Sequence, residues 1–185
     1  MSEAKPQAAL ARPSATEAAE AAAATIDRLY RRHHRDVFRL ALRYGLGDAA
    51  WAEDVVQDVF ITLVDALDRL GDHDELGGWL YRVTTHRCLR KLRRERFLRL
   101  PVVRWLLEAA QPPRSLEGQI FARHDLERAR RILEGLPPRE RVVVSMVHLD
   151  GRSQREVCET LGLSKGYVSR LLARGVARIQ EGLDE

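Results

Sequence analysis

Three groups of residues carry types and spacings capable of chemistry. The first is acidic. Glu53, Asp54, Gln57, Asp58, Asp65 and Asp68 flank an apolar stripe, and Asp54 and Asp58, one helical turn apart, share a face. Such a face is a solvated surface, a carboxylate metal site or a docking surface for a basic partner. A metal site needs further convergent ligands, and the sequence offers neither an EF-hand loop nor a Glu-x-x-His pair. The second group is basic. Arg82, Arg87, Arg90, Lys91, Arg93, Arg94, Arg96 and Arg99 are opposed in that run by Glu95 alone. Like charges this dense repel, and a polyanion would relieve the repulsion with release of its counterions. Trp79 and Tyr81 begin the same run, and aromatic beside basic is the composition that captures unstacked bases. Core packing is the competing role for Trp79.

The third group lies in REVCETLGLSKGYVSRLLARG, Arg155 to Gly175. Ser153 and Glu156 stand at capping-box spacing. Val157 and Leu161 anchor a first helix, Gly162 supplies a positive-φ turn, and Ser164 caps a second helix whose inner face is Val168, Leu171 and Leu172. This is a helix-turn-helix pattern, in which the second helix enters the major groove by its N-terminus. Ser164, Lys165, Tyr167, Ser169, Arg170 and Arg174 are then the residues placed to meet bases or phosphates. A plain helical hairpin with solvated basic residues is the alternative.

The elements that must position these groups are all helical. Ile26, Leu29, Tyr30, Val37, Leu40, Ala41 and Tyr44 recur at helical spacing, as do Ala52, Val55, Val56, Val59, Phe60, Leu63, Leu67 and Leu70. Gly45 and Gly47 separate these two helices, with Asp48 as N-cap of the second, and Gly71 stops it. A polar loop, GDHDELGG, precedes a third helix that stops before Pro101. A further stripe, Leu126, Ala129, Leu133 and Leu136, leads into a helix with Pro138 in its first turn. No strand pattern or repeat emerges. The expected architecture is all-α: a mobile Ala-rich tail over residues 1–25, a helical domain over 26–99, a flexible linker over 100–120 and a second helical domain over 121–185.

Composition bounds the function classes. The 185 residues are 45% hydrophobic and carry a formal net charge of +4, enough apolar content for packed cores and a slight preference for polyanions. Cys88 and Cys158 are far apart and have no His at zinc-finger spacing, so two reduced, buried thiols are expected, with no metal and no cofactor. The N-terminal stretch lacks the pattern of a secretory signal, and no apolar run is long enough to span a bilayer; a cytoplasmic protein without membrane insertion is the expectation. No nucleophile with an adjacent base is evident, and GRSQR is not a nucleophile elbow, so an enzyme is not expected.

With these residues in view the chain resembles the extracytoplasmic-function (ECF) sigma factors of bacterial RNA polymerase. The resemblance covers about Ile26 to Leu183. LYRRHHRDVFRLALRYGLGDAAWAEDVVQDVFITLV is similar to the family's first block, with the characteristic core at Ala52, Glu53, Asp54, Gln57, Asp58 and Phe60. WLYRVTTHRCLRKLRR and LPPRERVVVSMVHLDGRSQREVCETLGLSKGYVSRLLARGVARI are similar to the following block and to region 4. The resemblance implies that Glu53, Asp54, Gln57 and Asp58 dock on the β′ clamp helices of the polymerase core. It implies that the loop before Trp79, with Trp79, Arg82, Thr85, His86, Arg87 and Arg90, meets the −10 promoter element. Region 4 would set Ser164, Lys165, Tyr167, Ser169, Arg170 and Arg174 in the −35 element and touch the β flap. An anti-sigma factor is the implied controlling partner. The chain departs from the family in carrying His86 where Asn is common and Arg90 where Asp is common. A freestanding helix-turn-helix regulator is the rival reading; it leaves AEDVVQDVF unexplained.

Overall fold

The computed structural model describes residues 15–70, 76–98 and 123–184. Among them there is no strand. The first unit is α1 (Ala15–Tyr44), α2 (Ala49–Ala66), a 3-10 turn (Leu67–Arg69) and α3 (Leu76–Leu98); the second is α4 (Arg123–Gly135), α5 (Pro138–His148), α6 (Gln154–Leu161) and α7 (Lys165–Asp184). The fold is therefore all-α, as its apolar periodicity requires. The expected linker, Arg99 and most of the polar loop lie outside the described residues.

Local sequence explains most boundaries. Helix α1 begins at Ala15, so residues 15–25 are not the mobile tail expected for them but the start of this helix. The run is rich in Ala, the residue of highest helix propensity, and residues 1–14 of that tail lie outside the described residues. It ends where Leu46 (φ 54) and Gly47 (φ 85) turn left-handed, and the Gly47 amide returns to the Leu42 carbonyl at 2.9 Å. The Asp48 carboxylate then accepts from the Trp51 amide at 2.9 Å and starts α2. Helix α3 starts at Leu76, a little before the sequence suggests: Gly77 and Gly78 belong to its first turn, and buried Leu76 anchors it. Pro138 sits in the first turn of α5, where its missing N–H leaves no carbonyl unpaired.

The helix-turn-helix is built by its caps. The Ser153 hydroxyl accepts from the Glu156 amide, the Glu156 carboxylate accepts from the Ser153 amide at 2.9 Å, and Gly162 (φ 64) closes α6 in the left-handed region. Helix α7 follows at Lys165, with the Ser164 carbonyl accepting from the Tyr167 and Val168 amides at 3.0 Å. Helices α5 and α7 cross closely at Gly175: a Cβ there would lie 2.6 Å from Val144 Cγ2.

The two units are not separate in this structure. Helix α5 packs on α3 and α1 as well as on α7, and α6 packs on α3. Val142, Val143, Met146, Val157 and Leu161 join Leu40, Tyr44, Leu80, Cys88 and Leu89 in one buried cluster. Cys88 is buried and Cys158 half-buried, both as free thiols. Burial pushes the Cys88 thiol far up, so it stays protonated.

Two outcomes follow. Arg152 and the Ser153 donors hold the Glu156 carboxyl down from its ordinary 4.5 to about 2. A depressed folded-state value means stability that is present above pH 4.5 and is lost as pH falls towards 2. Thermal melting across that window will show Glu156→Gln losing less stability than the wild type. Gly175→Ala will lower the melting temperature, because overpacking against Val144 (about 1–3 kcal/mol) exceeds the helix-propensity gain of about 1 kcal/mol. Gly166→Ala, with nothing nearer than 3.8 Å, will not.

Candidate docking and nucleic-acid interface

The apolar stripe of α2 (Trp51, Ala52, Val55, Val56, Val59, Phe60, Leu63) faces inward, and this forces the residues between onto the surface. Glu53, Asp54, Gln57 and Asp58 are all exposed on that outer face. Ile61 (54% exposed) and Val64 (47%) extend it. The sequence reading counted neither in the face, although Ile61 follows Gln57 by one helical turn. Exposed apolar residues continuing an acidic strip are a composition suited to a partner with a basic and apolar ridge.

The strip is not free of counter-charge. Lys91 of α3 reaches across to Asp54 at 2.6 Å, while its ammonium lies 5.3 Å from the centre of the Trp51 ring. The Trp51 indole donates to Glu95 at 2.6 Å. Helix α3 is thus fastened to α2 by the two residues that interrupt or complete its basic run. Glu53 lies 3.9 Å from His34, a pair that is ionic only when the imidazole is protonated.

On α3 the expected nucleic-acid residues divide by face. Arg82, His86 and Arg90, spaced one turn apart, are exposed. Trp79 is half-buried against the core. Arg87 is half-buried and donates to the Thr62 hydroxyl at 2.7 Å. Thr85 is fully buried, and its hydroxyl donates to the Tyr81 carbonyl at 2.9 Å, so in this arrangement it does not reach the surface. The His86 imidazole Nε2 lies 2.8 Å from the Thr160 carbonyl of α6. A carbonyl only accepts, so Nε2 carries the proton.

On α7, Ser164, Lys165, Ser169, Arg170 and Arg174 are exposed and Tyr167 is half-buried. The Arg139 guanidinium donates to the Tyr167 hydroxyl at 3.0 Å, and Arg139 and Arg170 both lie over its ring. Arg174 and Arg178 bracket the buried Glu140 carboxylate at 3.4 and 3.3 Å. Arg174 is therefore held by an internal ion pair as well as offered to solvent. Arg93 and Arg96 of α3 face Arg139, Tyr167 and Arg174 across a cleft of about 440 Å³. Partial burial, then the neighbouring Arg139 charge, pulls the Arg93 guanidinium down. Arg139 escaped notice in the sequence because it stands outside both the basic helix and the recognition helix. Among the described residues no cluster of His, Cys, Asp and Glu is arranged to hold a metal ion, and no helix is long and apolar enough to cross a membrane.

Two family descriptions match this arrangement in order: Sigma-70 region 2 over residues 29–97, and Sigma-70, region 4 over residues 126–179. The chain is 32% identical to the ECF RNA polymerase sigma factor SigE of Mycolicibacterium smegmatis over 168 residues, which cover 89% of this chain and 63% of that protein. It is 30% identical to the ECF RNA polymerase sigma factor SigL of Mycobacterium tuberculosis over 177 residues, 95% of this chain and 97% of that one. The chain thus spans just under two thirds of one relative and nearly all of the other. Its fold is similar to that of the sigma factor RpoE from Bartonella quintana, solved in complex with the anti-sigma factor NepR. The TM-score is 0.59 at 17% identity, covering 86% of this chain and 97% of that one. With both sigma regions matched in sequence order and a full-length relative at 30% identity, the chain belongs to the ECF sigma factors, which direct RNA polymerase to promoters and catalyse no reaction themselves.

Proposed function

We propose that this sigma factor divides its work among three surfaces. Glu53, Asp54, Gln57 and Asp58 dock on the β′ clamp helices of the polymerase core. Trp79, Arg82, His86, Arg87 and Arg90, with the loop that precedes them, engage the −10 element, while buried Thr85 supports their helix from inside. Ser164, Lys165, Tyr167, Ser169, Arg170 and Arg174 engage the −35 element, with the second unit against the β flap. The division follows 26–99 as region 2, 100–120 as linker and 121–185 as region 4, with residues 1–25 as an N-terminal extension. An anti-sigma factor is the proposed controlling partner, as the complex of the structurally similar RpoE suggests. The place of action is the bacterial cytoplasm, where the polymerase works.

One observation carries the docking assignment. The α2 carboxylates are exposed along a single face while every apolar residue between them is turned inward or continues that face. The basic residues lie on different helices, so the chain presents one acidic and two basic surfaces. An acidic patch steers a basic partner and fixes its register. The basic surfaces bind the phosphate backbone, and guanidinium groups at base edges discriminate sequence. Strand opening then requires unstacking, a cost of a few kcal/mol that base contacts and stacking offset without nucleotide hydrolysis.

Run-off transcription from a randomised promoter library with purified polymerase core tests the assignment as a whole. Asp54→Arg or Asp58→Arg will weaken core binding about tenfold or more in a titration while leaving helix content unchanged; undiminished core affinity in both variants would remove the docking face. Arg170→Ala will reduce initiation selectively on templates with an intact −35 element, by about 1–3 kcal/mol in discrimination. Equal initiation on every −35 variant would take Arg170 out of the readout.

A further inference from the structure

The recognition helix carries a tyrosine in its first turn, and that tyrosine is held from a different helix. Tyr167 is half-buried, so its ring is neither locked in the core nor free in solvent. The Arg139 guanidinium, at the start of α5, donates to the Tyr167 hydroxyl at 3.0 Å and lies 5.7 Å from its ring centre. Arg170, three residues further along α7, lies 5.9 Å from the same centre. Both ring distances are near the outer limit for a cation–π contact, so the hydrogen bond is the stronger hold. All three residues belong to the second unit, and their contacts do not depend on how the two units pack.

The arginines around α7 differ in how their charge is answered. Arg174 and Arg178 bracket the buried Glu140 carboxylate at 3.4 and 3.3 Å. Arg139 is exposed, and among the described residues no carboxylate pairs with it. Its partner is a neutral hydroxyl, which takes one of the five guanidinium donors and leaves the charge in place. Such a group beside the N-terminal turn of a recognition helix suits a backbone phosphate, whose oxygens match the arginine fork. The same hydrogen bond acts on Tyr167. A tyrosine entering a groove loses side-chain freedom on binding, and a bond made beforehand removes part of that cost.

We propose that Arg139 is a further determinant of −35 recognition: it positions Tyr167 towards the base edges and adds one contact to a phosphate of the duplex. This rests on the −35 assignment of α7 and names a residue outside the helix-turn-helix that serves it. The two roles separate by chemistry. The phosphate contact needs only a positive charge, which lysine also supplies. Positioning needs the planar fork of arginine and the hydroxyl of Tyr167.

The test uses the full chain assembled with purified polymerase core. Binding is measured over a range of salt concentrations on templates carrying every single substitution in the −35 element. Arg139→Ala should weaken binding by about threefold to tenfold and lower the slope of log K against log salt by about 0.9, the value for one phosphate. It should also flatten discrimination at the base pairs that Tyr167→Ala flattens, and at no others. Arg139→Lys and Tyr167→Phe should each keep the salt slope and lose that discrimination. In the Arg139→Ala background, Tyr167→Phe should then have no further effect, a coupling that a merely structural role does not produce. If Arg139→Ala loses helix content, Arg139→Gln replaces it. An unchanged salt slope, or additive effects of the two substitutions, overturns the inference and leaves the −35 assignment standing. A wild-type holoenzyme indifferent to the −35 sequence would sink both.

Discussion

The Asp150 carboxylate is almost fully shielded from water, and a shielded charge persists only where its partners are in place. Two tyrosine hydroxyls on one oxygen and an arginine on the other supply them, and all three come from the first helical unit. Removing a partner from such a site typically costs about 3–5 kcal/mol, because the remaining charge is left without solvation. The relative placement of the two units is therefore pinned at one point, and the apolar cluster around Cys88, Val143 and Met146 closes about it. Burial, then the neighbouring Tyr81 and the Asp150 charge, drives the Tyr44 hydroxyl far above the ordinary tyrosine range, so it remains a donor. Tyr81 is raised as well, with burial again the largest cause.

A second consequence concerns how charge is distributed. The molecule carries a small net charge, yet the acidic and basic groups are sorted by helix face. On α2 the carboxylates are outward because the intervening apolar residues are inward. On α3, Arg82, His86 and Arg90 lie exposed in a line, one turn apart. Where the two sets meet, Lys91 and Glu95 tie them with Asp54 and Trp51. That pairing is largely exposed on the Asp54 side, so it contributes little to stability by itself. It does set the orientation of the α2 strip relative to the basic helix. At the other end, Glu140 neutralises Arg174 and Arg178 inside the region-4 fold, and it lines the α3–α7 cleft together with Arg93, Arg96 and Arg139.

Much of this was legible in order along the chain because it is local. Asp48, Ser153 with Glu156, Pro138 and Gly162 each act on amides or carbonyls a few residues away, so their types and spacing were sufficient. The outward set on α2 was legible for the same reason: a single apolar stripe assigns the opposite face. On α3 that rule failed. The helix is contacted by α1 and α2 on one side and by α5 and α6 on another, so a single stripe did not describe its buried surface. Thr84 and Thr85 look like surface hydroxyls by type, yet both are buried and satisfied by the helix carbonyls one turn earlier. Ile61 and Val64 were read past because exposed apolar residues break the expected pattern at the place where a partner would cover them.

The sequence by itself determined the helices, their caps, the acidic strip, the basic helix and the helix-turn-helix, since each depends on spacings within a turn or two of backbone. Tertiary structure alone decided that the two units close on each other. Asp150 meets Tyr44 across 106 positions and Tyr81 across 69, and Lys91 meets Asp54 across 37. No periodicity encodes such pairs. They arise because two buried surfaces of matching shape are brought together and their polar groups, deprived of water, must find one another.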